Sequence, residues 1–229
     1  MRRITWLSAD DAPDRFPPSQ FALEEPNGLL CAGGDLSPAR IIAAYRRGVF
    51  PWYSPGQPVL WWTPDPRMVL YPREFRRSRS LAKTIRQARM DVVIDQDFVA
   101  VLEGCASPRH KSRGTWITPE MAEAYTALHR RGVAHSIEAR RDGVLVGGLY
   151  GLLIGRVFFG ESMFSAERDA SKVALSGLVD RCLASGIELI DCQLPSAHLE
   201  SLGCRAIPRP EFEARLASLL AHPDADLAG

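Results

Sequence analysis

Two carboxylates and an amide carry most of the chemistry this sequence can offer: Glu161 in Gly160-Glu161-Ser162-Met163-Phe164-Ser165, and Asp191 and Gln193 in Asp191-Cys192-Gln193. A carboxylate at the end of an apolar strand becomes more basic as it loses water, and it can then hold or take a proton near neutral pH. Side chains at i and i+2 of a strand share a face, so Gln193 should stand beside Asp191, its amide ready to orient a carbonyl or an amine. Other chemistries lack their residues. No GxSxG elbow surrounds the serines of GESMFS, no histidine lies near them, and no phosphate-binding P-loop is present. The five histidines, His110, His129, His135, His198 and His222, show no metal-ligand spacing.

The elements that must position these groups can be read from the pattern around them. Arg156–Gly160 is β-branched and aromatic and reads as a strand, followed by a polar elbow at 161–165. Asp169 is placed to cap a helix whose apolar stripe is Leu175, Leu178, Val179, Cys182 and Leu183, with Gly186 ending it. Ile187–Ile190 returns as a strand and Pro195 stops its pairing. Upstream, His135–Arg140, Val144–Tyr150 and Arg156–Gly160 form an antiparallel meander, with Arg141-Asp142-Gly143 as its first turn. Ser37-Pro38 opens one helix and Thr118-Pro119-Glu120 another, and a last helix covers Glu211–Leu220. Met90–Ile94 reads as a strand and Asp97–Cys105 as a short helix. Residues 1–24 are weakly patterned and are expected to wrap a surface.

At 229 residues the chain suits a main domain with a smaller one attached. Six prolines between Pro51 and Pro72 interrupt Trp52, Tyr53, Trp61, Trp62 and Tyr71, which marks ordered extended chain and places the junction there. The expected fold class is α+β, with a small N-terminal α/β domain at 1–65 and the main domain at 66–229. With 46% hydrophobic and 24% charged residues and no apolar run near the roughly 18 residues of a membrane span, a soluble protein without a membrane partner is expected. The start, MRRITWLSADDAPDRF, lacks the apolar region of a signal peptide, so the expected location is the cytoplasm. Five scattered cysteines read as reduced thiols. The net charge of +1 announces no general nucleic-acid binder, so any RNA contact must be local. One local basic run spans Arg73–Arg89 and includes Arg76, Arg77, Lys83 and Arg86; a second is Arg109, His110, Lys111 and Arg113. Both fit a solvated surface equally well.

Longer stretches carry a resemblance. EPNGLLCAGGDLSPARIIAAYRRGVFPWYSPG, WWTPDPR, GTWI, GESMFS, DASK and DCQ together look like the bacterial leucyl/phenylalanyl-tRNA–protein transferases, in that family's order, from about Glu25 to Arg209. The resemblance implies a GNAT-like acyltransferase domain behind a small N-terminal domain. It implies transfer of Leu or Phe, with Met also accepted, from Leu-tRNA or Phe-tRNA to the α-amino group of proteins beginning with Arg or Lys, which creates a degradation signal. No metal or organic cofactor is implied, and a monomer is expected.

Carried over residue by residue, the resemblance makes Asp191, Gln193 and Glu161 the catalytic group. Asp191 would take up the amine's proton or position the amine, Gln193 would orient the ester carbonyl or the amine, and Glu161 would hold an ammonium of donor or acceptor. Phe158, Met163, Leu175, Leu178 and Ile190 would line a socket for the donor side chain, whose apolar wall tolerates several shapes. Trp52 and Trp116 would stack near the tRNA 3′ end, and Arg76, Arg77, Lys83 and Arg86 would contact the tRNA. Structural readings stand beside these: Asp191 capping a turn, Gln193 bonding a loop, Glu161 paired with Lys172, both tryptophans packing a domain interface. Ser176-Gly177-Leu178 is slighter than expected for the family and leaves donor preference open.

Two other functions compete. A coenzyme-A-dependent N-acetyltransferase of the same fold would need a glycine-rich pyrophosphate turn at a helix N-terminus, which the sequence lacks. A non-catalytic aminoacyl-tRNA-binding module would need the tryptophans and the basic helix but not Asp191.

Overall fold

A computed structural model describes residues 4–87, 89–107 and 116–227. The second basic run and the first two residues of GTWI lie outside the described residues. Two sheets organise the chain. The first is four-stranded, in the order β1(Thr5–Leu7), β2(Leu29–Gly33), β4(Leu60–Trp62), β3(Phe50–Pro51). Helix α1(Pro38–Tyr45) connects β2 to β3, with Ser37 accepting from the Arg40 N–H at its N-cap and Pro38 at the position where a missing N–H costs nothing. Residues 4–24 are more ordered than their composition suggests. Strand β1 pairs parallel with β2, and buried Arg40 fixes the following loop by donating to the carbonyls of Ser8, Ala9, Ala12 and, at 2.9 Å, Asp11.

The second sheet has seven strands in the order β11-β5-β10-β9-β8-β7-β6. Its members are β5(Arg67–Leu70), β6(Asp91–Ile94), β7(Ala134–Arg141), β8(Val144–Ile154), β9(Val157–Ser165), β10(Leu189–Gln193) and β11(Arg205–Ile207). The meander β7–β9 is antiparallel as expected and β6 pairs antiparallel with β7 at its edge, while β10 lies parallel to β9, which requires the crossover supplied by α5(Ala170–Ser185). Helices α3(Phe98–Ala106) and α4(Pro119–His129) precede β7, α2(Arg79–Arg86) precedes β6, and α6(Ala197–Ser201) and α7(Arg209–Leu220) close the chain. This is the α+β layering expected, with α5 on one face of the large sheet and α3, α4 and α7 on the other. One apolar cluster joins α1, α3, α4 and α7 with Phe159 and Tyr150; a second joins α5 with Phe158 and Ile190. Phe158 and Phe159 are both fully buried, on opposite faces, each stabilising the fold by about 1.5–3 kcal/mol.

Three local expectations are corrected. Residues 161–165 are strand, not elbow, because β9 continues to pair with β8 through Ser165↔Gly147. Asp169 sits at the α5 N-cap position with φ +66° but makes no capping bond; it takes Lys172 Nζ at 2.9 Å, and Ser165 Oγ accepts the Ser171 N–H instead. Leu183, expected in the buried stripe, is half exposed, since the helix buries residues four positions earlier on that row. Strands β1 and β11 and helix α6 were not expected; each is five residues or fewer, too short to show a period.

Candidate active site

Glu161 and Gln193 each stand at a β-bulge. Gly151 pairs with Gly160 and Tyr150 with Ser162, so Glu161 is the extra residue in β9. Asp191 pairs with Val69 and Gln193 with Met68, so Cys192 is the extra residue in β10. A bulge bends its strand and re-aims the local side chains. The two bulges lie on neighbouring strands and turn the side chains of Glu161 and Gln193 toward one another, with Gln193 Nε2 donating to Glu161 Oε1 at 2.7 Å. Glycine is required at 151: a Cβ there would lie 2.1 Å from the Phe159 carbonyl oxygen. Gln193 itself takes φ +64°, so the regular i, i+2 alternation expected for Asp191 and Gln193 does not hold across this step.

The expectation of Asp191 as an available proton acceptor is also corrected. Arg67 donates to both its oxygens, Nε to Oδ1 at 2.8 Å and Nη2 to Oδ2 at 2.7 Å, and both side chains are fully buried. The Gln193 backbone N–H adds a further bond to Oδ1 at 2.9 Å. The Arg67 guanidinium also lies against the rings of Phe50 and Phe212, 4.8 and 4.7 Å from their centroids. A carboxylate held on both oxygens by a buried cation fixes geometry; here it sets the backbone of Gln193 in its left-handed conformation. Arg67 is a residue that sequence reasoning missed. The available signal was a lone charge on each of two apolar strands, Arg67 before Met68-Val69-Leu70 and Asp191 after Leu189-Ile190, which burial forces to pair.

Glu161 has no lysine partner, since Lys172 is engaged by Asp169. It is held instead by two hydroxyls, Tyr45 Oη donating to Oε1 at 2.6 Å and Tyr125 Oη to Oε2 at 2.9 Å, and these hydroxyls are 2.7 Å from each other. Burial pushes its carboxyl up to about 7, the negative charge of Asp191 adds to the rise, and the bonds from Tyr45, Tyr125 and Gln193 hold it down in part. Burial, and then the charge of Glu161, keep the phenols of Tyr45, Tyr125 and Tyr150 well above their usual range, hence protonated. The tyrosines were not anticipated, for they come from α1, α4 and β8 and only the tertiary fold joins them.

Two cavities meet at Glu161. The larger, about 330 Å³, is lined by Phe158, Met163, Leu175, Leu178 and Ile190 together with Leu149, Tyr150 and Trp116. All five residues expected to form an apolar socket therefore share one cavity, at the small end of the range for ligand pockets. The smaller, about 220 Å³, is lined by Phe50, Pro51, Trp52, Trp116, Gln193 and Leu194. Glu161, Trp116 and Cys192 border both. Trp52 is 39% exposed; its carbonyl receives the Trp62 indole N–H at 2.6 Å, and the two rings lie tilted with centroids 5.5 Å apart. Ser176 and Gly177 are not part of the socket: Ser176 Oγ accepts from Arg77 at 2.8 Å, and a Cβ on Gly177 would meet Val92 at 2.4 Å.

The basic run forms the turn before α2 and the helix itself. Arg76, Arg77, Lys83 and Arg86 are all exposed. Arg77 is nevertheless tied to Ser176 and Asp180 on α5, which leaves it a docking role that Lys83 and Arg86 lack. Among the described residues no group of three metal-ligating side chains is assembled, and no helix is long and apolar enough to cross a membrane.

With this geometry in place, comparison with known proteins is informative. The family profile described as leucyl/phenylalanyl-tRNA protein transferase matches residues 69–217, and that of the N-terminal domain of the same transferases matches residues 34–65. The chain belongs to the leucyl/phenylalanyl-tRNA–protein transferase family. It is accordingly an aminoacyltransferase. Relatives bearing that name include one from Pseudomonas entomophila, 59% identical over 96% of this chain and 96% of the relative. Another, from Azotobacter vinelandii, is 60% identical over 91% of this chain and 92% of the relative. Matches among solved structures include a ribosomal-protein-alanine N-acetyltransferase from Brucella melitensis biovar Abortus 2308, with TM-score 0.35, 16% identity, 49% of this chain and 84% of that one. A GCN5-related N-acetyltransferase from Kribbella flavida matches with TM-score 0.33 and 11% identity over 72% of this chain and 59% of that one.

Proposed function

We propose that the enzyme takes Leu, Phe or Met from aminoacyl-tRNA and joins it to the α-amino group of proteins beginning with Arg or Lys, as a cytoplasmic monomer. The observation that carries this reading is the meeting of an apolar cavity of about 330 Å³ with a polar wall of Glu161 and, beside it, Gln193. The donor side chain fills the cavity formed by Phe158, Met163, Leu175, Leu178 and Ile190. Its ester lies at the polar wall, and the terminal adenine stacks between Trp52 and Trp116. The acceptor enters by the smaller cavity, where Glu161 supplies negative charge for a cationic amine.

In this reading Gln193 orients the reacting groups with its amide and Asp191 acts through Arg67 and the Gln193 backbone, as a positioning group. Arg76, Lys83 and Arg86 attract the tRNA backbone, with Arg77 fixing their helix to α5. The domain boundary falls between residues 65 and 66, which is supported by the change of sheet between Trp62 and Arg67.

The coenzyme A alternative is disfavoured by the N-terminus of α5, where a pyrophosphate would have to bind. The Ala170 N–H there is taken by the Glu167 carbonyl and the Ser171 N–H by Ser165 Oγ, so the first turn lacks the free N–H donors that hold a pyrophosphate. The test is transfer of labelled leucine from Leu-tRNA to a peptide beginning with Arg, beside the same peptide beginning with Ala. Label on the Arg peptide alone is the expected result. Label on neither, with acetyl-CoA consumed, would overturn the reading.

A further inference from the structure

The hydroxyls of Tyr45 and Tyr125 and the carboxyl of Glu161 close a ring: Tyr45 Oη to Glu161 Oε1 at 2.6 Å, Glu161 Oε2 to Tyr125 Oη at 2.9 Å, and Tyr125 Oη to Tyr45 Oη at 2.7 Å. Each of these three oxygen–oxygen contacts needs one hydrogen between its partners. Two phenols supply two hydrogens. With Glu161 ionised, one contact is left with lone pair facing lone pair; with one proton added, all three are filled. Gln193 cannot complete the ring, because its amide already occupies a further lone pair of Oε1 from outside. The ring is thus one proton short when Glu161 is charged and complete when it is neutral.

We propose that Tyr45, Tyr125 and Glu161 form a one-proton store at the wall between the two cavities, and that Glu161 is the group that takes the acceptor's α-ammonium proton. The second half rests on the aminoacyl-transfer reading; the ring does not. The acceptor arrives as an ammonium, whose ordinary pKa is about 7.7–8.0. Glu161 takes one of its protons and the ring fills. The amine nitrogen then forms its bond to the ester carbonyl carbon, the carbon–oxygen bond to the ribose breaks, and the surplus proton on nitrogen passes to the ribose oxygen. The stored proton leaves to solvent when the products do, which matches the single proton released when an ammonium and an ester give an amide and an alcohol.

The groups that act on Glu161 are compatible with this cycle, and Cys192, which borders the same cavities, keeps its thiol protonated through its contact with Cys204 and its burial. Tyr45 faces Glu161 from α1, Tyr125 from α4 and Tyr150 from β8, all held protonated by burial. Asp191 on β10 disfavours a second negative charge, and its own charge is matched by Arg67 on β5. A carboxyl brought to about 7 is close to the optimum for a base operating at neutral pH. Tyr45 and Tyr125 are positioning residues here, and Tyr45 links the store to the first sheet through α1.

The test is carbon-13 NMR of the whole chain labelled at glutamate carboxyls, titrated from pH 4 to 9, beside the pH profile of kcat with saturating Arg peptide. One carboxyl signal is expected to titrate near 7 and to vanish in Glu161→Gln, whose kcat falls on the order of 100-fold or more. Tyr45→Phe and, separately, Tyr125→Phe each remove a donor to the carboxylate. Both should shift that signal and the acidic limb of kcat together and in the same direction, the second variant serving if the first fails to fold. A Glu161 signal in the ordinary carboxylate range would overturn the ring. A signal near 7 with an acidic limb indifferent to both tyrosine variants would overturn Glu161 as the acceptor. Absence of any leucyl transfer by the wild type, with the titration intact, would overturn the assigned reaction and the acceptor role while the ring stood.

Discussion

Arg67 and Asp191 are 124 residues apart in sequence and meet in a two-bond ion pair with no exposure on either side chain. The pair lies at the first step of a chain that leads through the Gln193 backbone and side chain to Glu161. Removing one partner leaves a buried charge unmatched, which typically costs 3–5 kcal/mol. Arg67→Met should therefore lower the urea midpoint by a stability loss of that order, while an exposed control such as Arg79→Met leaves it within about 0.5 kcal/mol. Equal midpoints for the two would contradict the buried pairing.

Asp191→Asn keeps the shape but weakens the hold on Gln193, and Gln193→Ala deletes the amide that reaches Glu161. Both should lose turnover while tRNA binding survives, because neither residue belongs to the basic helix. Filter binding of tRNA beside single-turnover transfer separates the two effects. Parallel loss of binding and turnover would refute the division of labour.

Leu178 and Phe158 line the same cavity, so its size can be changed without touching Glu161. Leu178→Phe should narrow the socket and disfavour Phe relative to Leu by about 10-fold, within the range of ~1–3 kcal/mol for one or two carbon groups in an apolar pocket. Competition between Leu-tRNA and Phe-tRNA measures the ratio, and no change in it would place the donor side chain elsewhere.

Lys83 and Arg86 are exposed on α2 without an ion pair among the described residues, whereas Arg77 is engaged with α5. Charge reversal at Lys83 or Arg86 should weaken tRNA binding and reduce the salt slope by about one counterion each. Arg77→Ala should act chiefly on stability. An unchanged slope in the first two variants would return the helix to a solvated surface.

Glu161 also predicts how stability depends on pH. Its carboxyl rises from an ordinary 4.5 to about 7 in the fold, so between those values the folded protein holds a proton that the unfolded chain has released. Stability must then fall as pH rises through this window, by up to ~3 kcal/mol from this group, and stay lower above it. Glu161→Gln should remove that slope. Urea unfolding at pH 5 and pH 8 is the check, and an identical pH dependence in variant and wild type would exclude a raised Glu161.

The sequence alone determined the order and type of the longer elements, because their signals are local: Ser37 and Thr118 cap helices by accepting from N–H groups of the first turn, Pro38 and Pro119 follow where no N–H is needed, and the 135–160 meander shows its first turn. The packing of Phe158 and Ile190 against the α5 stripe was legible as well, since these residues must face one another once β9, α5 and β10 form a crossover. What the tertiary structure decided is the chemistry at the polar wall. Bulges in β9 and β10 depend on pairing register with other strands, which no local pattern encodes, and they turned Glu161 and Gln193 toward each other. Burial then matched Arg67 with Asp191 and brought Tyr45 and Tyr125 onto Glu161 from two separate helices. A carboxylate's role follows from its partners and its water, and those are properties of the packed chain.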